Sequence, residues 1–285
     1  MLSNPIAGCM RWGTWGANYN SKQVADVITN CVEAGITSFD HADIYGHYTT
    51  EALFGEALKH LPGIRKQLQL ITKCGIQMIS DNRPNHKIRT YNTTAAHIIQ
   101  SVENSLQYLN TDYLDVLLIH RPSPLLKPTE VAEAVCQLKQ SGKILAFGVS
   151  NFTPMQMEAL STYCEISYNQ LEVSLMHIQA IQDGTLDYCM AKRIQTMAWS
   201  PLGGNPSSIK NPDLQEALQQ IANKYETDIA TIMFAWLNKL PSAIIPVTGS
   251  SVADRIIAAK NAQLVDLNND EWFILWKAAT GNEIP

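Results

Sequence analysis

Four side chains, Asp40, Tyr45, Lys73 and His120, are of the types that could carry one reaction between them. A tyrosine protonates a developing alkoxide only when its pKa, about 10 in water, is drawn toward the working pH. An adjacent ammonium does this by stabilising the phenolate, and a carboxylate beside the ammonium keeps it charged and aimed. An imidazole next to them can orient a carbonyl oxygen by hydrogen bonding. Together the four suit reduction of a carbonyl group, provided a hydride donor lies alongside. Each alone has a blander reading: a lone histidine after a strand is more often a satisfied structural residue, and Lys73 could be an ordinary strand-end charge. Only in combination do they point to chemistry.

The four are far apart in the chain, so the fold must assemble them. A helical pattern over 21–34 runs into Gly35, a helix-stop signal. A short apolar run at 36–39 follows, and Asp40, Asp43 and Tyr45 come directly after it. Seven more apolar runs read as buried strands, at 6–10, 68–72, 113–119, 144–149, 166–169, 195–198 and 243–247. Helical patterns separate them, at 50–58, 94–109, 129–142 (with Thr129 as cap), from 153 onward, near 179–192, 213–225 and 229–240, with more near 252–260 and 270–279. Thr153-Pro154 is a cap followed by proline at the first helical position. Strict alternation implies a parallel sheet, and eight units in 285 residues fit a closed (β/α)8 TIM barrel, α/β in class, as a single domain over 1–285. The polar residues Arg11, Asp40, Lys73, His120, Ser150, Asn151, Gln170, Ser200 and Ser250 follow the strands. In a closed barrel those ends ring one mouth, at the C-terminal side of the strands. The segment 80–92 has no period and reads as a long functional loop.

Composition narrows the classes. Apolar residues make up 46% and charged residues 16%, enough for one large core. A net charge of −5 argues against a nucleic-acid binder, and no stretch is apolar for long enough to cross a bilayer. The six cysteines lack zinc-ligand spacing and read as free thiols in a reducing compartment, with cytoplasm as the default. Ala7-Gly8-Cys9 lacks the flanks of a lipoprotein signal. Asn92 and Asn151 head sequons without consequence for a cytosolic chain.

The run F-D-H-A-D-I-Y-G at 39–46, Thr72-Lys73, L-L-I-H-R-P at 117–122 and G-V-S-N-F at 148–152 together resemble the aldo-keto reductase family. So do Asn169-Gln170, A-W-S-P-L-G at 198–203, and I-P-V-T-G-S with Arg255. The series follows the family's order over nearly the whole chain. The resemblance implies a reductase of aldehydes or ketones that takes its hydride from NADP(H) without a Rossmann domain. It makes Tyr45 the general acid, Lys73 and Asp40 the groups that lower its pKa, and His120 the group that positions the substrate carbonyl. Ser150, Asn151 and Gln170 would bond the nicotinamide carboxamide, and Trp199, where many members carry tyrosine, would stack on the ring. Leu202 and Gly203 would lie along the pyrophosphate, and Ser250 and Arg255 would meet the adenosine 2′-phosphate. Met10, Arg11, Ser200, Thr248 and Gly249 complete the implied cofactor set; Gly8-Cys9-Met10-Arg11 matches the first cofactor loop loosely.

The sequence departs from the family's pattern at His41, usually threonine, which alters one contact expected at the inner mouth. Gly249 stands where many members have lysine, and Ala258 and Ala259 replace an acidic–asparagine pair, so fewer groups hold the 2′-phosphate. A different class of function is a nicotinamide-binding regulatory or sensor barrel with little turnover, of the kind that associates with ion channels. A metal-dependent hydrolase would draw on Asp40, His41, Asp43, His47 and His120, yet the H-x-H ligand pair is missing. Cys74 reads as packing, Asp43 as solvated, and Arg83, His86, Lys87 and Arg89 as a solvated loop face. Substrate choice falls to the loop at 75–93, the turn at 12–20 and the tail with Trp272, Phe273 and Trp276, of which Phe273 reads as a packing anchor. Trp12, Trp15 and Tyr19 would suit an apolar or aromatic carbonyl, and a monomer is the first expectation.

Overall fold

The computed structural model describes residues 1–206 and 209–284. Eight strands close a parallel barrel: β1 (Ile6–Gly8), β2 (Ser38–Asp40), β3 (Gln69–Cys74), β6 (Leu114–Ile119), β7 (Ile144–Ser150), β8 (Tyr168–Glu172), β9 (Gln195–Trp199) and β10 (Ile245–Thr248). A separate antiparallel pair, β4 (Ile76–Gln77) and β5 (Thr90–Tyr91), lies in the connection from β3 to β6. The helices are α1 (Ser21–Glu33), α2 (Tyr45–Tyr48), α3 (Thr50–Leu58), α4 (Ala95–Tyr108), α5 (Pro128–Gln140) and α6 (Pro154–Ser161). They continue with α7 (Gln179–Gln182), α8 (Thr185–Lys192), α9 (Pro212–Lys224), α10 (Ile229–Asn238), α11 (Ala253–Asn261) and α12 (Asn269–Thr280). Each of the eight strands overlaps one apolar run of the sequence, the one least closely matched being Tyr168–Glu172, which starts two residues into its run and extends past it.

Local chemistry starts the helices where the sequence signals them. Asn20 with Gln23, Thr153 with Gln156 and Asn268 with Glu271 form reciprocal capping boxes at α1, α6 and α12. Thr129 is not a cap: α5 begins at Pro128, whose missing N–H and fixed φ suit the first helical position. The pattern near 179–192 is two helices, because Gly184 turns the backbone left-handed (φ 81°) between α7 and α8.

Period-two alternation along the strands layers the barrel interior. Ile6, Ile71, Val116, Leu118, Met197, Ile245 and Val247 form one apolar cluster inside it. Two residues further along the same faces stand Lys73 after Ile71, His120 after Leu118 and Trp199 after Met197. The residues between them, such as Leu70, Leu117, Phe147 and Val149, turn outward to meet the helices. The strand direction that buries the apolar layer thus delivers the polar layer to the mouth. The seam of the ring joins β1 to β10, with Ala7 opposite Thr248.

Candidate active site

Asp40 ends β2 and faces inward, Lys73 does the same on β3, and the chain leaving β2 returns Tyr45 over them. The buried Lys73 ammonium spends its three donors on the Asp40 carboxylate (Oδ2, 2.7 Å), the His41 carbonyl (2.8 Å) and the Tyr45 hydroxyl (3.1 Å). Burial works against charge on Lys73, but the charges of Asp40 and Tyr45 and its bonds to both outweigh this and raise its pKa. Burial also pushes the Tyr45 phenol above the usual tyrosine value, and Lys73 pulls it back only in part. The expected net lowering of Tyr45 is therefore not found. In the protein alone the group is a neutral phenol, the form in which it holds a proton to give.

His120, after β6, stands edge-on to Tyr45 with ring centroids 6.1 Å apart. Burial, then the charges of Lys73, Arg121 and Arg89, keep its imidazole neutral by lowering its pKa well below the ordinary value. Its Nδ1 has no hydrogen-bond partner among the described residues. Trp15 leans on Tyr45 from the turn after β1 (6.1 Å) and meets His47 at 5.4 Å.

A second bonded group stands on β7, β8 and β9. The Trp199 indole N–H donates to Asn151 Oδ1 (3.0 Å), Asn151 Nδ2 donates to Ser150 Oγ (2.8 Å), and Ser150 Oγ donates to the Gln170 carbonyl (2.9 Å). Gln170 Nε2 donates to Asp40 Oδ1 across the barrel (2.8 Å), joining this group to the first. Trp199 keeps part of its ring exposed, and the Arg121 guanidinium lies 5.5 Å from its centroid. The donor set fits a planar primary amide beside an aromatic ring: a hydroxyl, an amide N–H and an amide oxygen converge next to an indole face.

The remaining implied cofactor residues lie along the β1, β10 and β9 arc and share no hydrogen bond with the quartet among the described residues. Met10 and Arg11 are exposed on the turn after β1, where the Arg11 carbonyl accepts from Ala17 N–H. Ser200 is exposed at positive φ (48°), and its carbonyl accepts from Gly203 N–H. Leu202 packs against Phe234, Ala259 and Ala262. Thr248 is buried and donates to the Ile6 carbonyl (3.2 Å). Gly249 faces open space, Ser250 caps Val252 N–H and accepts the Trp12 indole N–H on its carbonyl, and Arg255 is exposed on α11.

Several placements correct the sequence reading. His41 points away from the mouth, one residue out of phase with Asp40; it packs edge-on against Phe54 (4.4 Å), and neither ring nitrogen has a partner among the described residues. Burial, with Lys73, pushes its pKa down to about 3. Trp12 is a core residue, between Phe39 and Phe54, and Tyr19 is tied to the Ser251 carbonyl, which leaves Trp15 as the aromatic beside Tyr45. Asp43 is not solvated: its Oδ1 is buried without a partner among the described residues, and burial raises its pKa well above the usual value. The loop face is only partly solvated, since Arg83 stacks on Tyr48 (4.6 Å) and His86 reaches the Met78 carbonyl. Trp272 stacks on Trp236 (4.7 Å), so it and Trp276 are the tail's packing anchors, while Phe273 is exposed. Cys74 is buried packing, as read.

The sequence reading missed a left-handed turn directly after Tyr45. Gly46, His47 and Tyr48 all have positive φ (58°, 58° and 70°). Gly46 advertises the first of these; nothing marks the other two. The β4–β5 region holds them: Met78 N–H donates to the Tyr48 hydroxyl (2.8 Å), and Asn82 Nδ2 donates to the His47 carbonyl (2.9 Å).

The aldo/keto reductase family model matches residues 6–279. The "uncharacterized oxidoreductase" YcsN of Bacillus subtilis (strain 168) is 44% identical over 100% of this chain and 96% of its own. A 6-dehydroglucose reductase of Agrobacterium fabrum is 39% identical over 99% of this chain and 96% of its own. An aldo-keto reductase from Klebsiella pneumoniae, crystallised in complex with NADPH, shares the fold (TM-score 0.78) at 23% identity, over 96% of this chain and 90% of that one. No helix among the described residues is long and apolar enough to cross a membrane.

Proposed function

The chain belongs to the aldo/keto reductase family, and from that premise we propose that it reduces an aldehyde or ketone to an alcohol with NADPH, Tyr45 acting as general acid. The observation that carries this reading is the Lys73 ammonium bonded at once to Asp40 and to the Tyr45 hydroxyl, with neutral His120 beside the phenol. The reduced nicotinamide supplies the hydride. Ser150, Asn151 and Gln170 hold its carboxamide and Trp199 its ring face. Leu202 and Gly203 would lie along the pyrophosphate, and Arg255, with Ser250, would take the 2′-phosphate; the Klebsiella aldo-keto reductase of the same fold was crystallised with NADPH. As negative charge grows on the substrate oxygen, Tyr45 releases its proton to it; Lys73 stabilises the phenolate left behind, and Asp40 fixes Lys73. His120 donates a hydrogen bond that orients the same oxygen.

NADPH consumption against a panel of carbonyls tests the proposal. The 6-dehydroglucose reductase relative puts a hydroxylated sugar aldehyde in that panel, and Trp15 puts an aromatic aldehyde beside it. Tyr45→Phe should lower kcat by about 10²- to 10⁴-fold while leaving NADPH affinity near its wild-type value. Wild-type turnover by that variant would remove Tyr45 from the role of acid.

A further inference from the structure

Gln170 makes the connection that the quartet does not account for. Asp40 and Gln170 are each 2% exposed, and their strands, β2 and β8, stand opposite each other: four steps separate them through β1, β10 and β9, and four through β3, β6 and β7. The amide orientation is fixed by chemistry, since an ionised carboxylate only accepts and Nε2 must face it. Oε1 accepts nothing from the described residues. One amide therefore turns its donor to Asp40 and leaves its acceptor for the mouth. Hydrogen bonds run from the Trp199 indole through Asn151 and Ser150 to the Gln170 main-chain carbonyl, and from the Gln170 side-chain amide through Asp40 and Lys73 to the Tyr45 hydroxyl, so Gln170 joins the two sets.

We propose that Gln170 is a positioning residue for the proton donor as well as a carboxamide ligand: its Nε2 clamps Asp40 from across the barrel, and its Oε1 links that clamp to the nicotinamide. The inference rests on the reductase reading above. Asp40 needs the clamp because its two oxygens face opposite demands. Oδ2 must stay on Lys73, while Oδ1, buried with no other donor among the described residues, would otherwise be left without a partner or turn toward one. Two charge-assisted bonds, one to each oxygen, fix the carboxylate plane and with it the Lys73 nitrogen under the phenol. A bound carboxamide whose NH2 donates to Oε1 at the far end of the same amide holds its plane in turn, so binding tightens the acid's geometry with no added contact to Tyr45.

The test compares kcat at saturating NADPH for wild type, Gln170→Glu and Gln170→Met across a pH series. Gln170→Glu keeps an acceptor for the carboxamide but sets a second carboxyl against Asp40. Two carboxylates in contact repel, so the introduced group keeps its proton to a higher pH than a free carboxyl, and while it holds that proton it can donate to Asp40 as the amide does. Relative to wild type, the Glu variant should lose about tenfold or more near pH 8 and regain most of it roughly two pH units lower. The Met variant, with no donor at any pH, should lose about tenfold in kcat throughout, beyond its rise in KM for NADPH. A Glu-to-wild-type ratio that does not change with pH, or a Met variant altered in KM alone, overturns the proposal and leaves Gln170 a cofactor ligand only. A wild-type protein that reduces no carbonyl overturns the reductase reading instead, and this inference falls with it.

Discussion

Among single residues, Glu51 is the buried ionisable group with the plainest consequence outside the quartet. It sits on α3, 3% exposed, and accepts from Thr72 Oγ1 (2.5 Å) and Ser105 Oγ (3.0 Å). Burial pushes its pKa up to about 7, despite those two bonds and the Lys73 charge. The folded chain thus holds this proton more tightly than the unfolded chain, so its stabilising effect is complete below about pH 4.5 and is lost as pH rises through about 7. The loss amounts to about 3 kcal/mol. Glu51→Gln keeps an acceptor for Thr72 and carries no charge. In denaturant titrations it should exceed wild type by up to about 3 kcal/mol near pH 8, with the gain gone near pH 4. The comparison cancels His41, whose depressed pKa acts with the opposite sign in both proteins. An equal difference at both pH values would mean that Glu51 holds its proton no more tightly in the folded chain than in the unfolded one. Much at this scale was legible: Asp40, Lys73 and His120 are visible because a polar residue directly after an apolar run must leave a strand at its open end. His41 was misread because it is polar and adjacent to Asp40, yet a shift of one residue along a strand turns the side chain to the other face.

At the scale of elements, the meeting of α3 and α4 depends on one absent side chain. An ideal Cβ on Gly55 would lie 1.9 Å from the Tyr108 carbonyl oxygen. Alanine would favour α3 by about 1 kcal/mol through helix propensity, but the overlap is with backbone and cannot be relieved by a rotamer. Gly55→Ala should cost about 1–3 kcal/mol or more, read as a lowered unfolding midpoint, with turnover per folded molecule within about twofold of wild type. An unchanged midpoint would show that the two helices can separate freely. The barrel strands and most helices were legible because each buries an apolar run or stripe. The β4–β5 pair was not, since two residues per strand give no period to read. The left-handed turn after Tyr45 was not either: it is held by the Met78 N–H and the Asn82 side-chain amide from a distant stretch, and tertiary bonds of that kind leave no local trace.

For the molecule as a whole, NADPH and NADH should separate in how far they stabilise the fold. A ligand at about 100 times its Kd adds about 2.7 kcal/mol. On the reading proposed here, much of the difference between the two dinucleotides rests on Arg255, which is exposed and forms no ion pair among the described residues. Arg255→Ala should bring the two thermal shifts together, chiefly by reducing that of NADPH; a variant that keeps the wild-type gap would move the 2′-phosphate site elsewhere. The barrel itself was legible from eight alternations, but how its ends are fastened was not. The Thr248 hydroxyl reaches the Ile6 carbonyl over 242 positions, and the Trp12 indole reaches the Ser250 carbonyl over 238. Contacts so distant along the chain carry a large closure entropy and form late. During synthesis, then, every group of the quartet has emerged while the cylinder still stands open on one side. The stave that would carry the adenosine end is the last to be fitted, so the nascent polypeptide cannot grip a dinucleotide along its full length until that stave is in place.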